Sequence, residues 1–591
     1  MINNLPHIIT RHILSFVDSP FDKICFVLAT KRLYENRERF LYFDASNLKT
    51  QHIGYHHLKS FRKNITQSIC DRDLNLVWPP TQNEPSESRF DSLDHKTCNI
   101  DSIPNDSKVS ITFIIYQQVK DGLDIFKEML STIKGIIVNI DFDCLKFSTA
   151  IPPGLIPKTV KQINLGSHYD FPLEEGILPD GLTHLHLGQV FNQPLKPGDI
   201  PQSVQRLTLS NQFNLNIEAG QLPSSLIKLT TGYGNRLSFG KDSLPYGLRK
   251  LVLRHTFNYD ASLVLPASVT HLSLGSTNNK LLPGSISPFI TSLTLPTYYS
   301  HSLDADVIPT SCTRLRIHSL QKTLEPRALP ESIDTIFFGR DYNDVIRKKV
   351  LPNSLTYLNL GVAFNNELVL PKKLKYLRFS SNFNRELEPN QLPNSLRTLI
   401  FGMEFNQLIA PGILPRGLTT LQFGIKFNQP IGVGVLPSTL ETLILGPNFN
   451  QPLEPGVLPE GLQRLEFGDR YSLALVPGVI PSSVTELVLG EFFGQMLIGE
   501  GAIPDTVTYL RVPSFQSKYL LSSPTRKIHV QLTKPNFIPM EIRMVDENTL
   551  LAIDKKLFGG FLSIENIDHL RDHIFRYWTS HKIAQLKQIH I

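Results

Sequence analysis

A Leu-Pro or Ile-Pro pair returns along this chain at intervals of about 22 residues, at Pro157, Pro179, Pro201, Pro223 and Pro245, and again from Pro371 to Pro393, Pro415, Pro437, Pro459 and Pro481. Proline fixes φ and removes a backbone donor, so its regular return divides the chain into units of one length. Roughly 17 copies are legible, one of them degenerate near Ser285 to Pro288. Each reads L-P-x-S-L-x-x-L-x-[LF]-G-x-x-F-N-Q-P-L-x-P-G. Leu418, Leu421 and Phe423 carry the apolar letters of one unit, and Leu440, Leu443 and Leu445 those of the next. A unit this short has room for one brief strand and a return path. It cannot bury its own apolar face, so copies must stack.

The expected fold is therefore an α/β-poor repeat solenoid, a leucine-rich-repeat-like stack of short parallel β-strands. Strand spacing of about 4.8 Å would make the stack on the order of 80 Å long. Glycine after the strand (Gly424, Gly446) suits the sharp exit, and Pro455-Gly456 supplies a second bend. Phe-Asn at Phe405-Asn406, Phe427-Asn428 and Phe449-Asn450 should turn the ring inward and leave the amide to bond turn backbone, coil after coil. These recurring letters are scaffold.

The net charge is only +6, and the excess lies at the ends. The first 64 residues hold 10 basic against 5 acidic residues, and those from Lys518 onward 11 against 7. No dense Lys/Arg cluster of a nucleic-acid binder occurs. The five cysteines (Cys25, Cys70, Cys98, Cys144, Cys312) are scattered without a C-x-x-C, which points to reduced thiols inside a cell. MINNLPHIITRHILSFV is broken by Pro6, Arg11 and His12 and lacks a small-residue cleavage site, so it is a poor signal peptide. No apolar run reaches the roughly 18 residues that span a bilayer. A cytoplasmic protein, with the nucleus as the other compartment, is expected, and the Asn64-Ile65-Thr66 sequon should stay unglycosylated.

Ahead of the repeats, Ser19 can cap a helix with Pro20 at its first position and Asp22 completing a capping box, and Ile24, Val27 and Leu28 line one face. Upstream, Ile9, Ile13, Phe16 and Val17 recur at helical spacing, and a third helix with Leu33 and Phe40 completes a small bundle. LPHIITRHILSFVDSPFDKICFVLATKRLY resembles the F-box at Leu5, Pro6, Ile9, Ile13, Leu14, Phe16, Val17, Val27 and Arg32. Ile8 stands where that family usually has an acid, and Leu33 where it often has tryptophan. The repeat unit, with F-N-Q-P and L-P-x-S-L, resembles the FNIP repeat, a leucine-rich-repeat variant of social amoebae and some giant viruses. Proteins of that kind commonly join an F-box-like N-terminus to an FNIP array. The domain reading is an F-box-like bundle over 1–45, a linker over 46–128 with a flexible insertion at 79–108, the array over 129–513, and a capping region over 514–591. VSITFIIY reads as a strand in the lead-in, Ile133 to Val138 as a worn first coil, and TLLAIDKKLFGGFLSI as a hairpin. Ile567, Leu570, Ile574 and Trp578 form a helical stripe that would cover the last coil.

No catalytic constellation emerges, and neither an enzyme nor a cofactor is expected. Gly559-Gly560 fits no phosphate loop, and His52 and His56, though able to share a helix face, lack a third metal ligand. The letters that vary are more telling. In L-x-x-L-x-L the residues either side of the second Leu point away from the core and form two outward rows. The first row contains a basic strip from Arg206 through Lys228 to Lys250. Across both rows Arg314, Arg316, Tyr357, Tyr376 and Arg378 make an Arg/Tyr cluster, the residue types most enriched in binding hot spots. That cluster is the expected partner-binding surface, for a protein with an acidic or phosphorylated segment.

The resemblance implies a substrate-recognition subunit of an SCF-type ubiquitin ligase. Leu5, Pro6, Ile9, Ile13 and Leu14 would then contact a Skp-type adaptor of the cullin complex, and the array would hold the protein target. The alternative is a protein–protein interaction scaffold whose N-terminal helices only cap the solenoid. Neither reading involves nucleic acid or membrane, and the protein should be monomeric outside its complex.

Overall fold

The computed structural model describes residues 121–512, with breaks at 133–135, 144, 234–236, 255–263, 276–279, 321, 491–492 and 494–500, and six further strands. Those strands are Leu74–Trp78, Lys108–Phe113, Lys527–Val530, Met540–Asp546, Thr549–Asp554 and Gly559–Ser563. The helices expected within 1–45 and the stripe from Ile567 to Trp578 lie outside the described residues. These fall into two compact units, one within Cys70–Ser380 and one within Ser381–Ile591.

Both units are parallel β-solenoids of leucine-rich-repeat type. In the first, every repeat from Gln162–Asn164 to Tyr376–Arg378 gives one strand of three or four residues, bonded in parallel to the next. The register lays the middle apolar residue of each strand on its neighbour's, as in Ile163 to Leu185 to Leu207 and Leu358 to Leu377. All of these are buried. Their flanking residues face outward, so the two rows read from the sequence are real sheet rows. In the second unit the same arrangement runs from Thr398–Ile400 to Tyr509–Val512.

The Leu-Pro signature is the entry turn to each strand. The proline carbonyl accepts the N–H of the residue three further on, as in Leu182 to Pro179, Leu440 to Pro437 and Leu462 to Pro459, and that residue is fully buried. The serine of L-P-x-S-L ties coil to coil. Ser203, Ser354 and Ser483 donate their hydroxyls to the carbonyls of Leu182, Ile333 and Leu462, in the preceding coil. At the strand exit, backbones of successive coils come so close that a Cβ on Gly188 would lie 1.8 Å from the Gly166 carbonyl oxygen, and Gly188 has φ +78°.

The Phe-Asn pair behaves as expected. Phe405, Phe427, Phe449 and Tyr471 are buried and stack ring on ring, with centroids 6.1, 6.0 and 6.1 Å apart. Each asparagine Oδ1 accepts the backbone N–H of the same position one coil later: Asn406 from Asn428 at 2.9 Å, Asn428 from Asn450 at 2.8 Å, and Asn450 from Ser472 at 3.0 Å. One turn N–H per coil is thereby satisfied by the preceding coil, and the ladder fixes one coil per repeat.

Upstream, Leu74–Trp78, Lys108–Phe113 and Ile136–Asp141 pair in parallel and hand the sheet to Gln162–Asn164. The helix Gly122–Thr132 supplies the crossover between two of them, capped by Asp121 accepting the Leu123 N–H at 2.8 Å, and buries Phe126 and Met129. Downstream, Lys527–Val530 is the last parallel strand. Met540–Asp546, Thr549–Asp554 and Gly559–Ser563 then follow antiparallel, and the last two are the expected hairpin. Among the described residues no helix is long and apolar enough to cross a membrane.

Candidate functional site

The outward face of the Cys70–Ser380 unit carries two neighbouring features in the two rows. One is an aromatic ladder. Tyr357 and Tyr376 are cross-strand partners in the first row, and their rings stack at 4.2 Å and 5°. Phe337, in the second row one strand earlier, sets its ring 5.1 Å from Tyr357. The Arg316 guanidinium lies over Phe337, 4.8 Å from the ring centre. Arg378 is the outward residue next to Tyr376 and the cross-strand partner of Asn359. The face thus presents cation, ring, ring, ring and cation in sequence, half-buried at the rings and exposed at Arg316 and Arg378. Burial raises the Tyr376 hydroxyl above its usual pKa, with the hydrogen bond to Tyr357 adding to the rise and Arg378 opposing it. Rings held this way lose little rotamer freedom on binding.

Of the residues singled out in the sequence, the structure therefore joins Arg316, Tyr357, Tyr376 and Arg378. Arg314 lies in the first row between Ser292 and Thr335, on the strand of Arg316, and its charge reaches His271. Phe337, which couples Arg316 to the tyrosines, was not singled out. The alternation in Thr335-Ile336-Phe337-Phe338 would have found it, because Phe338 is buried and Phe337 must then face outward. The adaptor-contact residues Leu5, Pro6, Ile9, Ile13 and Leu14, and His52 and His56, lie outside the described residues. Among the described residues no group of three or more His, Cys, Asp or Glu could hold a metal.

The other feature is basic. His184, Arg206, Lys228, Lys250 and His271 follow one another in strict cross-strand register along the first row. Burial, then the charges of Arg206 and Lys228, keeps His184 below the usual imidazole pKa; burial, then Lys250 and Arg314, does the same for His271. Each takes a hydrogen-bonding position beside the preceding threonine, Thr183 and Thr270, at 2.9 Å. The native state thus disfavours protonating them. The unfolded chain binds the protons first as pH falls, so this stability is full above the unfolded imidazole value and is lost below it. Thermal unfolding should therefore shift to lower temperature from about pH 7.5 to about pH 5.5, and a His184→Asn, His271→Asn variant should shift less. Equal shifts in both proteins would refute the account.

The repeat letters themselves decide the family. The FNIP Repeat profile matches residues 147–189, 191–234, 278–319, 321–362, 364–403, 405–448, 449–492 and 474–515, which together take in more than half of the chain. The chain belongs to the FNIP repeat family. Among solved structures, the FNIP chain is similar to one described as "The crystal structure of CroV588 a novel circular LRR protein structure", at 29% identity over 69% of this chain and 73% of that one, with a TM-score of 0.42. No match is found among curated proteins.

Proposed function

We propose that this FNIP solenoid is the target-recognition part of an SCF-type ubiquitin ligase subunit, with the Arg316–Phe337–Tyr357–Tyr376–Arg378 ladder as its capture surface. A repeat solenoid is an extended surface suited to protein–protein interaction. The observation that carries the reading is the ladder itself. Stacked, half-buried rings flanked by two exposed guanidiniums match the composition of interface hot spots. A target segment with acidic or phosphorylated residues would meet Arg316 and Arg378 while its apolar side chains lie on the rings.

The ligase part of the proposal rests on the N-terminal sequence, in which Leu5, Pro6, Ile9, Ile13 and Leu14 match the F-box pattern. Its chemistry would be proximity: a receptor that holds a target lysine near a charged conjugating enzyme raises the effective concentration without touching the reacting bond. In the full chain, Leu5→Ala, Ile13→Ala and Leu14→Ala together should abolish co-purification of a Skp-type adaptor and cullin from source cells while target capture persists. Undiminished adaptor recovery would show that these residues do not make the adaptor contact, and no recovery with the wild-type chain would leave a recognition scaffold without a ubiquitin link.

A further inference from the structure

We infer that the row His184–Arg206–Lys228–Lys250–His271 is a second docking site, and that its occupant is an Asp/Glu-rich polypeptide segment lying across the strands. The inference stands apart from the ladder and from the ligase reading. It starts from register. Arg206 faces Lys228 directly, and Lys228 faces Lys250, on adjacent parallel strands about 4.8 Å apart. Like charges directly opposite on a sheet oppose folding. Among the described residues, no ion pair joins any of the three to a carboxylate.

The second unit shows how the same repeat position is written when it only has to fold. There the row reads Thr398, Thr420, Thr442, Arg464 and Glu486. The one cation is answered at once, by Glu486 at 2.6 Å and Glu466 at 3.1 Å. Threonine satisfies the fold at this position, so three consecutive cations are not a requirement of the repeat. They create positive potential that no carboxylate of the described residues answers. Arg254, set 5.5 Å over the Tyr233 ring, adds to it from the strand exit. Lys228 feels burial first and then Lys250, Arg206 and Arg254, all of which lower its pKa.

The geometry selects the ligand class. Arg206 to Lys250 spans about 10 Å, the reach of three or four residues of extended chain, so the carboxylates of one short acidic segment can reach all three cations. The residues beside the row are Thr208 and Val252, half-buried, and Thr230, buried, none of which offers a ring on which a base could stack, and the nearby Tyr233 ring lies under Arg254. The file is one residue wide, and the whole chain carries only +6, too little for a general polyanion field. A peptide backbone fits such a narrow, flat track, and nucleic acid does not.

The test uses the full chain and fluorescence anisotropy with a labelled Glu/Asp peptide of about a dozen residues at near-physiological salt. Arg206→Thr, Lys228→Thr and Lys250→Thr together should weaken binding by at least about tenfold, which is about 1.4 kcal/mol. A control that removes the same charge elsewhere in the unit, Lys158→Thr, Lys322→Thr and Arg347→Thr, should stay within about twofold. The row variant should also melt no lower than wild type, because it removes like-charge pairs. Should that variant fail to fold, Lys228→Gln alone should weaken the peptide by at least about threefold. The inference is overturned by no binding to wild type, by equal losses in row and control variants, or by a single-stranded RNA of equal charge binding as tightly as the peptide. A phosphoserine peptide that binds where the Glu/Asp peptide does not would also overturn it.

Discussion

Phe427→Ala is expected to destabilise the Ser381–Ile591 unit by about 3–5 kcal/mol, enough to open its middle coils. The ring is buried between Phe405 and Phe449, at 6.1 and 6.0 Å, and stacks at 3.7 Å on Phe423 of its own coil. Truncation leaves a hole lined by three aromatic rings, which rigid coils cannot collapse to fill. In a solenoid each repeat contacts only its neighbours, so the loss also cuts coupling between the coils on either side. Gly446→Ala should be comparably severe for a different reason: the new Cβ would fall 1.8 Å from the Gly424 carbonyl oxygen, and neither backbone can retreat without breaking strand pairing. Amide hydrogen exchange across residues 400–470 reads both. Protection that survives in Leu421 and Leu443 would show that the ring stack is not what holds the coils together.

The same logic explains what could be read in advance. Length of repeat, Leu-Pro punctuation and the L-x-x-L-x-L core determine a parallel strand per unit, because no other arrangement buries those leucines. Phe-Asn was legible for the same reason: a ring and an amide at one fixed step can only stack and bridge. The serine ties of L-P-x-S-L were not legible, since a hydroxyl in a turn has many local partners and only the stack shows that Ser203 meets the Leu182 carbonyl. The upstream strand Leu74–Trp78 was missed because it lacks the repeat and is recognised only through its pairing with Lys108–Phe113. At the candidate site, strand alternation put Tyr357, Tyr376 and Arg378 on the outer face, whereas the Arg316–Phe337 contact depends on side-chain reach across a strand. The consecutive cations were visible in sequence as a strip. Their significance came from register, which sets each opposite the next.

Tyr357→Ala, Tyr376→Ala and Arg378→Ala together should reduce capture of the cognate protein by at least about thirtyfold, or about 2 kcal/mol, a conservative sum for adjacent hot-spot truncations. The fold should survive, because the middle residues Leu358 and Leu377 keep the strands buried and paired while the substituted side chains lie on the outer rows. Phe337→Ala alone is the sharper instrument. It removes the ring that holds Arg316 in place and leaves Tyr357 and Tyr376 stacked on each other, so a ladder that works as a unit should lose about tenfold from this one change. The readout is quantitative co-purification of each bound protein with the full chain from source cells, beside far-ultraviolet circular dichroism. A partner retained equally by wild type, the Phe337 variant and the triple variant does not bind here, and if every partner behaves so, the aromatic ladder is only a solvated sheet face.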